Sequence, residues 1–376
     1  MTTDSFTIKQ AREYPLPASS QTHEVVAITP GMLLVSQQPS GALVKVRLDP
    51  TSGRPLESVA HVIDSPFSGV HGLTLSRQNP GKVWVTLQFS SQLLLIDPVP
   101  QDIDAPPLIE QRIDLPQPAR GPHVVAEDGT SLWVSCKDSH HIVQIDARSS
   151  SINRVIPCPP RPIFVQVHPR SRDVYATLDQ SSALFRIPAA STGEPTQIPL
   201  DPQFGSTPVG MVPGPDGNLW FAMLGTSSGG KGSFGRIRED GGIDQFQLQT
   251  GVAGGAAFIH LGFPPDETKG AVMYLLASSM AAHSALNAVI ELRMSPDYSR
   301  VETQQSIVFP TQQSMSHRVL STAQGLYATQ LGSCTLVHLQ TARSPLGESV
   351  NELADPYGLW GCGVTGSRVC YPGSEQ

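Results

Sequence analysis

Asp216-Gly217-Asn218-Leu219-Trp220-Phe221-Ala222 decides how this chain is read. A turn-forming triplet leads into a short apolar strand centred on Trp220, and Phe234-Gly235-Arg236-Ile237 follows as a second one. The phrase recurs as Met32-Leu33-Leu34-Val35-Ser36, Val83-Trp84-Val85-Thr86, Leu132-Trp133-Val134-Ser135 and Val174-Tyr175-Ala176-Thr177. It continues as Met273-Tyr274-Leu275-Leu276 and Leu326-Tyr327-Ala328-Thr329. With 34, 84, 133, 175, 220, 274 and 327 as anchors, the intervals run from 42 to 54 residues. Several strands per unit at that period mark a β-propeller blade.

Each unit has the same grammar. A Pro/Gly-led apolar strand precedes the anchor, as in Gly121-Pro122-His123-Val124-Val125 or Thr207-Pro208-Val209-Gly210-Met211. A hairpin and a third strand follow, such as Val143-Gln144-Ile145-Asp146, and then a more polar outer strand such as Gln111-Arg112-Ile113-Asp114-Leu115. The expectation is an all-β, seven-bladed propeller with four strands per blade. The seventh unit shows no fourth strand after Leu336-Val337-His338-Leu339, whereas Phe6 to Tyr14 reads as an outer strand without a blade. The N-terminal strand is therefore expected to complete the last blade and close the ring, leaving no long free edge. Residues 1–340 form one domain in this reading, and 341–376 a C-terminal tail.

Composition agrees. Gly and Pro make up 67 of 376 residues and charged residues only 15%, which favours short strands and tight turns over helices. The net charge of −7, with no basic cluster, excludes a nucleic-acid footprint. No apolar run reaches the roughly 20 residues that span a bilayer, and Met1 to Lys9 lacks the apolar core of a signal peptide. The expectation is a soluble, cytoplasmic chain with no nucleic-acid or membrane partner. Five cysteines without a C-x-x-C pair give neither a zinc ribbon nor a disulfide scaffold; Cys362 and Cys370 are either free or a clip in the tail.

A His opening an inner strand, then Leu-Trp-(Val/Phe), then Ile-(Gly)-Arg-Ile, resembles the streptogramin B (virginiamycin B) lyases. The nearest local matches are Gly121-Pro122-His123, Asp216 to Phe221, and Phe234-Gly235-Arg236-Ile237 with Phe246 following. The resemblance implies a propeller lyase. In that family, histidines at inner-strand openings and a glutamate three residues after the Trp hold magnesium and support an elimination that opens a cyclic depsipeptide. This chain departs from that pattern. Three residues beyond the anchors stand Gln37, Leu87, Cys136, Leu178, Met223, Ala277 and Gln330, none a carboxylate. Asp179 comes one position later, and a one-residue slip on a strand faces the other side. The chain also resembles fungal hetero-Diels–Alderase propellers, which need no such metal.

The residues opening the inner strands are His23, His71, His123, Ile163, Val209, Ala256 and His317. Because blades 7, 1, 2 and 3 are consecutive in a ring, four histidines share one half of the channel mouth. The ends of the second strands divide alike: Gln330, Gln37, Gln88 and Lys137 beside the histidines, Leu178 and Met223 opposite. His71, His123, His317 and Gln88 are the candidate catalytic residues, with imidazole moving or sharing protons and amides steadying an oxyanion. His23, Gln37, Lys137, Ile163, Val209, Met223 and Gln330 would bind an apolar or aromatic small molecule. The plainer alternative makes the histidines struts between blades. Neither metal nor cofactor is expected, although three imidazoles could hold zinc or iron. Residues 225–233 and 278–287 are either a lid over the apolar half or ordinary hairpins. The leading expectation is a metal-free lyase or cyclase of specialised metabolism, a pericyclase of hetero-Diels–Alder type. Streptogramin-type C–O elimination and a non-catalytic interaction propeller are the alternatives.

Overall fold

The second strands of the blades are buried at almost every position, because a neighbouring blade covers each face. Val83–Leu87 and Leu326–Gln330 are buried throughout, whereas the outer Leu108–Asp114 and Val301–Val308 expose most of their side chains. The computed structural model describes residues 7–17, 21–190, 193–252, 255–266, 270–281, 286–342 and 367–371. These form seven antiparallel sheets whose innermost strands contact one another in sequence and then from last to first, which closes a ring. Blades 1 to 7 open with Thr22–Thr29, Val70–Leu75, Pro122–Asp128, Pro162–Val167, Ser206–Pro213, Phe258–Gly262 and Ser316–Ser321. No α-helix occurs among the described residues, and none of their helices is long and apolar enough to cross a membrane.

The last blade takes its outer strand from the N-terminus, as expected. Thr7–Pro15 pairs antiparallel with Thr335–Ala342, from Thr7 opposite Ala342 to Pro15 opposite Thr335. A second terminal strand was not legible in the sequence: Arg368–Cys370 adds a fifth strand to blade 1 along Pro55–Val62. Beside it the buried Tyr371 hydroxyl bonds the Pro15 carbonyl at 2.8 Å and lies 2.9 Å from the Ser58 hydroxyl. Cys362, the expected clip partner of Cys370, lies outside the described residues.

One irregularity recurs in every blade and shapes the channel. Near its start each inner strand carries an extra residue relative to the second strand. Val70 pairs with Leu87 and Leu73 with Val85; Pro122 pairs with Cys136 and Val125 with Val134. The same slip follows Thr22, Pro162, Pro208, Phe258 and Ser316. Such a bulge re-aims side chains that strict alternation would send to opposite faces. Two consecutive residues per blade therefore form two tiers at the axis. The first tier is His23, His71, His123, Ile163, Val209, Ile259 and His317. The second is Glu24, Gly72, Val124, Phe164, Gly210, His260 and Arg318. In blade 6 the first-tier residue is Ile259, not Ala256, which lies before the strand.

Candidate functional site

The blades are tied together at the bulge by hydroxyls on their second strands. Thr177 Oγ1 accepts from the Phe164 N–H at 3.1 Å and donates to the Val209 carbonyl of the next blade at 2.9 Å. Ser36 serves Glu24 and His71 in this way, Thr86 serves Gly72 and His123, Ser135 serves Val124 and Ile163, and Thr329 serves Arg318 and His23. Ala222 and Leu276 hold the corresponding positions of blades 5 and 6, so the clasp is missing there.

Three of the four first-tier histidines repeat the clasp with their rings. Nδ1 of His71 lies 3.3 Å from the His123 carbonyl, Nδ1 of His123 3.1 Å from that of Ile163, and Nδ1 of His317 3.2 Å from that of His23. A carbonyl only accepts, so Nδ1 carries the proton and Nε2 keeps its lone pair. His23 differs: both its ring nitrogens are buried without a hydrogen bond. Gln38 is beside it, but its amide nitrogen donates to Gln88 Oε1 at 2.8 Å. The rings form one packed group, with centroids 4.5 Å apart for His23 and His71, 4.7 Å for His23 and His317, and 4.1 Å for His71 and His123. One ring nitrogen each from His23, His71 and His317 lies within 4.8 Å of the others.

Burial holds these imidazoles neutral. His23, His71 and His123 are pushed well below the usual value, and His317 down to about 3, by desolvation first and then by neighbouring positive charge. Lys137 contributes to all four shifts. Its own pKa is lowered by burial and then by Arg161. At neutral pH the site thus offers imidazole lone pairs beside an ammonium. Proton abstraction suits such weakly basic rings poorly, whereas accepting a hydrogen bond or ligating an ion suits them well.

The second tier closes the channel beneath the histidines. The Phe164 ring reaches across the axis to His123 of blade 3, His260 of blade 6 and Arg318 of blade 7, at 6.3, 5.7 and 5.5 Å. The mouth is therefore a cup with an aromatic floor. Glu24 is buried in the same tier, 3.2 Å from Arg318 Nε and 3.5 Å from His317 Nδ1. Burial raises its carboxyl above the ordinary range, more than Arg318 lowers it. No carboxylate stands three residues past the anchors, yet Glu24, next to His23 in the chain, brings one to the histidines and faces His317 and Arg318.

The remaining candidates are dispersed. Gln88 and Lys137, one step beyond the end of the first-to-second strand pairing, stand at the rim with Gln38 and Asp179. Asp179 pairs with Arg161 at 3.3 Å and acts on the charge of Lys137, so it shares their side. Gln37, Gln330 and Met223 end that pairing and point into their blades. Gln37 donates to the Pro17 carbonyl at 3.1 Å, and Gln330 bonds Glu13, Thr335 and Ser314. Met223 is fully buried with its sulfur 3.7 Å from Gln245 Nε2. Ile163 and Val209 sit in the first tier opposite His23. Gln38, Phe164, His260 and Arg318 were missed; all but His260 lie one residue past a position that was read. In the 225–233 loop the Gly230 carbonyl accepts from the Ala256 N–H at 3.1 Å, which docks the loop against the entry to blade 6. Residues 282–285 of the other loop lie outside the described residues.

No protein-family profile matches the chain, and no curated protein does. Solved structures do. A streptogramin B lyase matches with TM-score 0.66 at 18% identity, over 88% of this chain and 97% of its own. An inactive variant of virginiamycin B lyase from Staphylococcus aureus, solved with quinupristin, matches with TM-score 0.67 at 17% identity, over 88% and 99%. A chain of the mitotic checkpoint complex matches with TM-score 0.64 at 10% identity, over 89% and 93%. Likeness at these identities is one of fold: the chain is a seven-bladed propeller built like the streptogramin B lyases over most of its length.

Proposed function

We propose that this chain is a lyase or cyclase for an apolar, oxygen-bearing small molecule bound in the histidine cup, and that its reaction is a hetero-Diels–Alder cyclisation. The observation that carries the reading is the juxtaposition of Lys137 with imidazoles held neutral, above a floor closed by Phe164. Lys137 would donate to the heterodiene carbonyl, whose oxygen gains negative charge while the C–C bond forms ahead of the C–O bond. Nε2 of His123 would accept from a hydroxyl on the same substrate. Ile163, Val209 and Ile259 form the apolar half, and Phe67 (85% exposed) and Phe89 (56%) add an apolar rim on blade 2. Such a wall brings two apolar partners together in one orientation.

The test supplies the chain with a hydroxymethyl tropolone, which loses water to give an o-quinone methide, and a medium-ring terpene alkene. Formation of one enantiomer of the dihydropyran adduct above the background rate is expected. His123→Ala and Lys137→Met should each slow it by about 10²-fold or more. Racemic adduct at the background rate sinks the cyclase reading. Opening of a streptogramin B lactone instead would favour the elimination suggested by the likeness of fold, and neither activity would leave an interaction propeller.

A further inference from the structure

Four histidines packed against one another need a reason. Nδ1 bonds to carbonyls account for half of each of three rings and leave Nε2 of His71, His123 and His317 uncommitted. His23 has neither nitrogen bonded, although it is almost wholly buried. An unbonded buried imidazole is a cost of roughly 1–3 kcal/mol that a fold seldom keeps without return.

We propose that His23, His71 and His317 bind a first-row transition-metal ion, zinc or iron(II), with Glu24 as a positioning residue behind His317. Each of the three belongs to a different blade, 1, 2 and 7, and offers one nitrogen to a common point. Around a tetrahedral ion such nitrogens stand about 3.3 Å apart, so the rings must draw in from their present spacing of up to 4.8 Å. The His23 ring, whose nitrogens bond no backbone carbonyl, can turn toward the ion more readily than those of His71 and His317. The Nδ1 protons of His71 and His317 are fixed by backbone carbonyls, the arrangement that orients a ligating imidazole and directs Nε2 to the metal. Glu24, 3.5 Å behind His317, adds a carboxylate to the same ring.

The ligand atoms decide which ion. Three imidazoles with no oxygen donor suit zinc or iron(II) and disfavour magnesium, which prefers oxygen. Lys137 and Arg318 oppose a bare dication, and Glu24 offsets part of that repulsion. The same Lys137 would favour an anionic fourth ligand, so the open position facing the mouth would take an ionised oxygen. The inference goes beyond the proposed activity: it concerns what the histidines bind, and binding is measurable without turnover.

The experiment uses the full chain, stripped with chelator and titrated with zinc by calorimetry. X-ray absorption is then recorded on the cobalt(II)-loaded protein. One ion per chain with three imidazoles in its shell is expected. His71→Ala should weaken zinc by more than about 100-fold and Glu24→Gln by about 10–100-fold, the range for a group that orients a ligand. Should the variants fail to fold, the absorption spectrum of the unaltered chain still decides. No stoichiometric binding, or a shell of oxygens without imidazole, overturns the site. A metal-bound chain that makes no adduct would remove the cyclase reading and leave this one standing.

Discussion

Lys137 at the rim and His338 in the blade interior show how burial sets two different tasks. Lys137 has its charge at the rim, with no hydrogen bond or ion pair among the described residues, and it makes four imidazoles harder to protonate. Lys137→Met should therefore cost activity without costing stability: the melting temperature should hold or rise slightly. A variant that unfolds earlier would make Lys137 a structural residue. His338 is buried against Tyr327, 5.1 Å away and nearly parallel, and desolvation lowers its pKa from 6.5 to about 4. The unfolded chain takes up a proton near 6.5 that the folded chain refuses until about 4. Its contribution is complete above pH 6.5 and is lost as pH falls toward 4, by up to on the order of 3 kcal/mol. Urea unfolding at pH 7 and pH 5 should show a smaller loss for His338→Gln than for the parent; equal losses would refute the assignment.

At the scale of the element, the bulge with its hydroxyl clasp is the device that matters. Thr177→Val keeps the shape but leaves the Phe164 N–H and the Val209 carbonyl without partners inside the blade seam. About 2–4 kcal/mol of stability should go with them, read as a lower denaturation midpoint at unchanged slope. A loss below about 0.5 kcal/mol would mean that the clasp is incidental. Ala222→Ser should move the other way, since it offers the missing hydroxyl to blade 5. The bulge also explains what the sequence disclosed and what it hid. Strand count, blade number and the half-ring of histidines follow from recurrence, because every blade must bury a large residue at the same depth. Parity along a strand is another matter. Strict alternation puts Glu24, Phe164, His260 and Arg318 away from the channel, and the extra residue turns them into it. Gln37 and Gln330 were grouped with Gln88 and Lys137 although they stand one step apart, which on a second strand without a bulge means opposite sides.

The molecule as a whole depends on a seam made by both ends of the chain. Thr7–Pro15 supplies the outer strand of blade 7, and Tyr371 reaches from the fifth strand of blade 1 to the Pro15 carbonyl. Deleting residues 1–17 should leave an open ring with a free edge along Thr335–Ala342 and an aggregating product; a stable monomer would argue against closure by pairing. Tyr371→Phe removes two hydroxyl bonds at the seam and should cost about 1–2 kcal/mol.

The seam sets the order in which the cup comes into being. His317 and His23 are 294 positions apart, yet the ring of one reaches the carbonyl of the other. During synthesis His23 emerges early and waits for its neighbour through almost the whole of translation. A nascent chain released short of blade 7 holds two of the three proposed ligands and lacks Arg318, so its cup is incomplete. Occupancy of the cup thus reports that the chain was made to its end and that its first and last blades have met.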